Sequence, residues 1–163
     1  MDLQVEKVAK ILVDRSARIC LVESCTGGLI SKMLTDIPGS SKWFECGLVT
    51  YSNESKIALV GVPSAVIAQY GAVSAETAKE MAMGALKRFD RCDYSISVTG
   101  IAGPGGGSEA KPVGTVFFGL GVRDEHGAIS ASVHGKHIKG ESRDQIRDVS
   151  AKCALSLFLE LFD

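Results

Sequence analysis

Apolar residues recur every three or four positions near the start of the chain, at Leu3, Val5, Val8, Ile11, Leu12 and Val13, with charges between them. That stripe predicts an amphipathic helix over 2–16. The short apolar run Ile19-Cys20-Leu21-Val22 predicts a buried strand over 18–23, and Leu29, Ile30, Met33, Leu34 and Ile37 then mark a helix ending before Pro38-Gly39. A second strand is expected over 44–51, from Phe44 through Leu48-Val49. Glu54 to Leu59 reads as a short helix with Ser52 or Asn53 as its N-cap, and Pro63 fits the first turn of another. Ser74 caps a longer helix over 75–89, with Glu76 in its first turn and Lys87-Arg88 in its last. A third strand over 93–99 leads into a glycine-rich loop, 100–112. Strands over 113–122 and 128–137 form a hairpin, and Ile146, Val149, Cys153, Leu157 and Leu161 stripe a final helix over 141–161.

This order of elements predicts the architecture. Helices separate the first three strands, which should therefore run parallel through right-handed crossovers. No helix fits into the loop 100–112, so the fourth strand should run antiparallel to the third. The hairpin then returns the fifth strand to the common direction. The expected fold is α/β: a three-layer α/β/α sandwich with a five-stranded mixed sheet, one strand antiparallel to the rest. At 163 residues, without an internal repeat or linker, it reads as a single domain over 1–163.

Composition narrows the choice of partners. The chain is 45% hydrophobic and 23% charged, with a formal net charge of −1, so nothing points to nucleic acid or an anionic membrane. No apolar run approaches a membrane span and the first residues do not resemble a secretory signal, which makes the cytoplasm the expected location. The five cysteines (20, 25, 46, 92 and 153) are odd in number, widely spaced and free of Cys-x-x-Cys pairs, so neither a disulfide framework nor a zinc site is indicated. Cys20, Cys92 and Cys153 read as reduced core thiols. His134 and His137 would face opposite sides of one strand, which argues against a shared metal. No metal and no cofactor is expected.

Two polar clusters carry the candidate chemistry. Glu23-Ser24-Cys25-Thr26-Gly27-Gly28 joins the first strand to a helix, and Thr50-Tyr51-Ser52-Asn53-Glu54-Ser55-Lys56 ends the second strand in the same way. Ligand sites form at such carboxyl ends of parallel strands. Ser24 is a candidate nucleophile, and the N–H groups of Gly27 and Gly28 are candidates for an oxyanion hole. Ser24 or Thr26 could instead simply cap the helix. With no histidine nearby in sequence, Lys56 is the candidate base. An ordinary lysine, with a pKa of about 10.4, is neutral in only about one molecule in two thousand at pH 7. A depressed pKa is therefore required, and burial supplies one. Tyr51 could hydrogen-bond both Ser24 and the lysine. Cys25 is a rival nucleophile, but neighbours on an extended segment point opposite ways, so only one of Ser24 and Cys25 can face the pocket.

Two further features suit an anionic ligand. Gly103, Gly105 and Gly106, in the run ending at Ser108, form a candidate phosphate cradle. Arg143 and Arg147 lie four apart on one face of the last helix and could clamp a phosphate or carboxylate.

Taken together, these motifs resemble the CinA C-terminal domain family. The resemblance rests on Glu23 to Gly28, Gly39-Ser40-Ser41 with Trp43-Phe44, Gly47 to Lys56, Gly71-Ala72-Val73-Ser74, Thr99 to Pro104, Gly106-Gly107-Ser108 and Lys111 to Val116. It implies a nicotinamide mononucleotide deamidase, which hydrolyses the pyridine carboxamide to nicotinic acid mononucleotide and ammonia. The family's serine, tyrosine and lysine fall on Ser24, Tyr51 and Lys56, and its C-terminal arginine best on Arg147, with Arg143 second. The family's fold is also the mixed α/β sandwich. The expected partner is a small nucleotide, with no nucleic acid and no membrane, and a homodimer is the expected assembly. Two alternatives stay open: a module that binds a nucleotide or phosphometabolite without turnover, and a scaffold for DNA uptake or repair. A basic stripe would favour the second, and the chain has none.

Overall fold

The alternating stretch from Tyr94 to Gly100 forms the central strand, and its two faces meet different helix layers. In this computed structural model, which describes residues 3–163, the order of elements is α1 (Leu3–Asp14), β1 (Ile19–Glu23), α2 (Leu29–Thr35), a 3-10 turn (Ser40–Lys42), β2 (Phe44–Val49), α3 (Asn53–Val60), α4 (Ser64–Tyr70), α5 (Ala75–Arg88), β3 (Tyr94–Gly100), β4 (Thr115–Arg123), β5 (Ile129–His137) and α6 (Arg143–Glu160). The strands lie in the order β2-β1-β3-β4-β5. β1 pairs in parallel with both β2 and β3, whereas β4 is antiparallel to β3 and to β5. The expected mixed sheet with one reversed strand is therefore present.

One face of the sheet presents Ile19, Leu21, Ile96, Val98, Val116, Phe118 and Leu120 to a core completed by α1 and α6. The other presents Cys20 and Val22 to Val60, Val62, Ile67, Met81, Ala85 and Leu86. Each large side chain removed from water in these cores contributes about 1.5–3 kcal/mol. The second face also carries a polar seam. Ser95, Ser97 and Thr99 donate from β3 to the carbonyls of Ala82, Ala78 and Ala72 at 2.7, 2.6 and 2.7 Å. Opposite them, Gly119 and Gly121 of β4 leave the space for α5 to come this close. A Cβ at Gly119 would stand 2.4 Å from the Ala78 carbonyl oxygen.

The element ends differ from expectation in small ways with identifiable causes. Residue 2, the expected start of the first helix, lies outside the described residues. Ser52, rather than Asn53, caps α3, its hydroxyl accepting from the Ser55 N–H at 3.1 Å. Pro63 has an extended backbone and precedes the first turn of α4 instead of occupying it. β2 ends at Val49, two residues early: the Thr50 N–H still donates to the Glu23 carbonyl at 2.8 Å, and Tyr51 leaves the ladder. Register then aligns the chemistry. Glu23 pairs with Val49 on one side and Val98 on the other, so Ser24, Thr50 and Thr99 emerge together at one end of the sheet.

Candidate active site

Lys56 is the largest fully buried side chain, with 1% of its surface exposed. It reaches from α3 under the ends of the parallel strands, where its Nζ lies 3.1 Å from Ser24 Oγ, 2.7 Å from the Thr50 carbonyl oxygen and 3.3 Å from that of Tyr51. Among the described residues it forms no ion pair. Burial without a counter-charge penalises the ammonium, and the Lys56 pKa falls below the usual lysine range. The arrangement suits a neutral amine. Its two N–H bonds match the two carbonyls, and its lone pair is left facing the serine hydroxyl.

The loop after β1 is held by a residue the sequence reading had not used. Glu23 is 1% exposed, and its carboxylate lies at the N-terminus of α2. One oxygen accepts from the N–H groups of Gly28 and Ile30 at 3.1 Å each, and the other from the N–H and hydroxyl of Ser31 at 2.8 and 2.7 Å. The helix cap is thus an internal anion, supplied neither by Ser24 nor by Thr26. This corrects the expected oxyanion hole. The Gly28 N–H is taken by Glu23 and the Gly27 N–H by the Ser24 carbonyl at 3.0 Å. The two glycines serve geometry instead: both have positive φ, and a Cβ on Gly27 would press on the Arg147 guanidinium at 3.1 Å. A capping carboxylate five residues upstream escapes the usual capping patterns. Its sequence signal was an acidic residue in an otherwise apolar strand.

A cavity of about 250 Å³ opens above Ser24 and Lys56, bordered also by Cys25, Tyr51, Thr99, Gly103, Gly105, Gly106 and Arg143. The glycine loop therefore does reach the site. Arg143 crosses the cavity wall, donating to the Gly103 carbonyl and the Tyr51 hydroxyl at 2.7 Å each. Arg147, the better family match, does not border the cavity. It donates from behind to the Cys25 and Thr26 carbonyls at 3.1 Å each and pairs with Asp144 at 3.8 Å. Tyr51 also departs from expectation. Having left the strand, it turns its ring outward and is 58% exposed. Only its main-chain carbonyl touches Lys56, and its phenol meets Arg143 rather than Ser24.

Cys25 packs its side chain into the core on the α6 face, while Ser24 meets Lys56 on the other. Burial pushes the Cys25 thiol up to about 11, so it is protonated at neutral pH and is a poor nucleophile. A larger depression, about 870 Å³, lies between the C-terminal turns of α1 and α6. It shares no residue with the site. Its charged rim is partly self-paired, with Lys10 on Asp14 and Arg15 over the Phe162 ring. Among the described residues no group of three or more His, Cys, Asp or Glu is placed to hold a metal ion. None of their helices is long and apolar enough to cross a membrane.

Fold and site together define a three-layer α/β domain with a buried serine–lysine pair at the carboxyl end of its parallel strands. The chain belongs to the CinA C-terminal domain family, whose model matches residues 2–162. It is 45% identical over 157 residues to the nicotinamide-nucleotide amidohydrolase PncC of Escherichia coli K12, covering 96% of this chain and 92% of that protein. A CinA-like protein of Geobacter sulfurreducens is 49% identical over 148 residues, 91% of this chain but 34% of that longer protein. Among solved structures, the competence/damage inducible protein CihA of Agrobacterium tumefaciens superposes with a TM-score of 0.87 at 37% identity, covering 100% of both chains. An Escherichia coli protein of the CinA superfamily gives 0.87 at 31% identity, covering 97% of this chain and 88% of that one.

Proposed function

We propose that this protein is an amidohydrolase that converts nicotinamide mononucleotide to nicotinic acid mononucleotide and ammonia. The observation that carries the reading is the 3.1 Å approach of the buried Lys56 amine to the Ser24 hydroxyl. The identity to an enzyme named for that class of substrate supports it.

In the acylation step Ser24 Oγ bonds to the carboxamide carbon while its proton passes to Lys56 Nζ. The resulting tetrahedral intermediate collapses as the carbon–nitrogen bond breaks. Lys56 returns the proton to the departing nitrogen, and ammonia leaves. Water then attacks the acyl-serine ester, again losing a proton to Lys56, and collapse releases the carboxylic acid and restores Ser24. The Thr50 and Tyr51 carbonyls keep the amine oriented throughout. Arg143, at the cavity wall beside Gly103, Gly105 and Gly106, takes the phosphate of the mononucleotide, and the Tyr51 phenol packs over the bound substrate from the same side. Binding at the phosphate supplies remote interaction energy for positioning the amide. Incubation with nicotinamide mononucleotide should release ammonia, and Ser24→Ala should abolish that release. Undiminished turnover in Ser24→Ala would remove the assignment.

A further inference from the structure

The loop that carries Ser24 spends nearly all of its main-chain hydrogen-bonding groups on the protein itself. The Ser24 N–H donates to the Val98 carbonyl at 2.9 Å, Gly27 to Ser24 at 3.0 Å and Leu29 to Thr26 at 3.1 Å. Gly28 donates to Glu23, and the Cys25 and Thr26 carbonyls accept from Arg147. Between Ser24 and Leu29, only the N–H groups of Cys25 and Thr26 have no acceptor in another residue among those described; that of Cys25 meets only its own thiol sulfur, a weak acceptor. Both residues are buried. An unpaired buried N–H costs about 1–3 kcal/mol and is rare unless something else occupies it.

The two differ in where they lie. Thr26 is not part of the cavity wall, whereas Cys25 is. Because the Cys25 thiol packs into the opposite core, its backbone forms its share of that wall. Cys25 also directly follows the nucleophile, so its nitrogen is covalently held next to the Ser24 Cα. A donor at that chain position stabilises the oxyanion in other serine hydrolases, built on a different turn. The geometry points to the Cys25 backbone N–H as the oxyanion donor, presented by a loop that Glu23 grips through its N–H groups and Arg147 through its carbonyls. This assignment rests on the serine amidohydrolase reading. The role given at sequence level to Gly27 and Gly28 passes to the Cys25 amide of the cavity wall, which has no acceptor in another residue.

The test uses the wild-type protein and the mononucleotide of pyridine-3-carbaldehyde, whose carbonyl adds to Ser24 Oγ to give a tetrahedral adduct without a leaving group. In nitrogen-15 labelled protein, formation of the adduct should shift the Cys25 amide proton downfield and slow its exchange at least tenfold. An adduct that leaves both unchanged overturns the assignment while keeping Ser24 as nucleophile. Failure to form any adduct overturns the serine reading beneath it. A second arm replaces the Cys25 amide by an ester, using the α-hydroxy analogue of cysteine. The expected result is a loss in kcat of about a hundred- to a thousandfold with KM within threefold of wild type. A kcat within threefold of wild type rejects the proposal.

Discussion

The Lys56 amine stands 3.1 Å from the Ser24 hydroxyl with no carboxylate paired to it, an arrangement that favours the uncharged amine over the ammonium. Activity that depends on this amine should rise with pH through one ionisation centred below the usual lysine value. A kcat/KM profile recorded from pH 5 to 10 reads this directly. The same shift acts on folding in the same direction. Between the lowered native pKa and the unfolded value of 10.5, the unfolded chain binds more protons, so this group's contribution to stability improves as pH rises through that window. A flat profile, or one limited by an unshifted lysine, would contradict the mechanism.

Lys56→Ala should reduce kcat by about a hundred- to ten-thousandfold, the range typical of losing a general base. Lys56→Arg should not rescue it. A guanidinium keeps its proton in proteins, and it lacks the lone pair that the Thr50 and Tyr51 carbonyls leave directed at Ser24. Steady-state ammonia release by the two variants checks both statements.

Arg143 and Arg147 sit one turn apart on α6 but should fail differently. Arg143→Ala should raise KM for the mononucleotide by about ten- to a hundredfold, the effect of losing a charge-assisted contact worth about 1.5–3 kcal/mol. It should have little effect on the nucleoside, which has no phosphate. Arg147→Ala should mainly lower kcat, for nucleotide and nucleoside alike, because it releases the Cys25 and Thr26 carbonyls that hold the loop. Comparing the two substrates on both variants distinguishes a ligand contact from a loop contact.

Glu23→Ala should be the most destabilising change in the loop. It removes the acceptor for three main-chain N–H groups and one hydroxyl at a site sealed from water, with a loss of about 3–5 kcal/mol. Glu23→Gln retains one good acceptor oxygen and should fall between wild type and alanine. Urea unfolding of the three proteins gives the order.

Alkylation of Cys25 should be negligible at pH 7 and should accelerate only as pH approaches about 11, where its thiol ionises. Peptide mass mapping after iodoacetamide treatment at pH 7 and pH 10 measures it. Rapid labelling at neutral pH would reopen the thiol as a nucleophile.

Local periodicity was enough to read the sheet. The helical stripes, the buried strand at Ile19–Val22 and the hairpin are short-range patterns, and the absence of a crossover helix in 100–112 decided which strand runs backwards. Ser24 and Lys56 were legible for a related reason. Both stand at strand-to-helix junctions, and in a parallel sheet those junctions gather at one end. The misreadings concern residues whose roles depend on long-range packing. Tyr51 turns outward because β2 stops at Val49, a boundary set by its partner strand. Arg147 lies behind the loop because α6 docks at one particular rotation, which no exposed arginine pair reveals by itself.

The order of the elements, the direction of each strand and the meeting of a hydroxyl with an amine followed from the chain alone, since hydrophobic spacing and connection length determine them. Which main-chain N–H groups remain unpaired, and therefore available to a substrate, was decided only by the folded structure. A hydrogen bond is satisfied by whichever group packing brings within 3 Å, and here a buried glutamate reached the helix terminus before any ligand could.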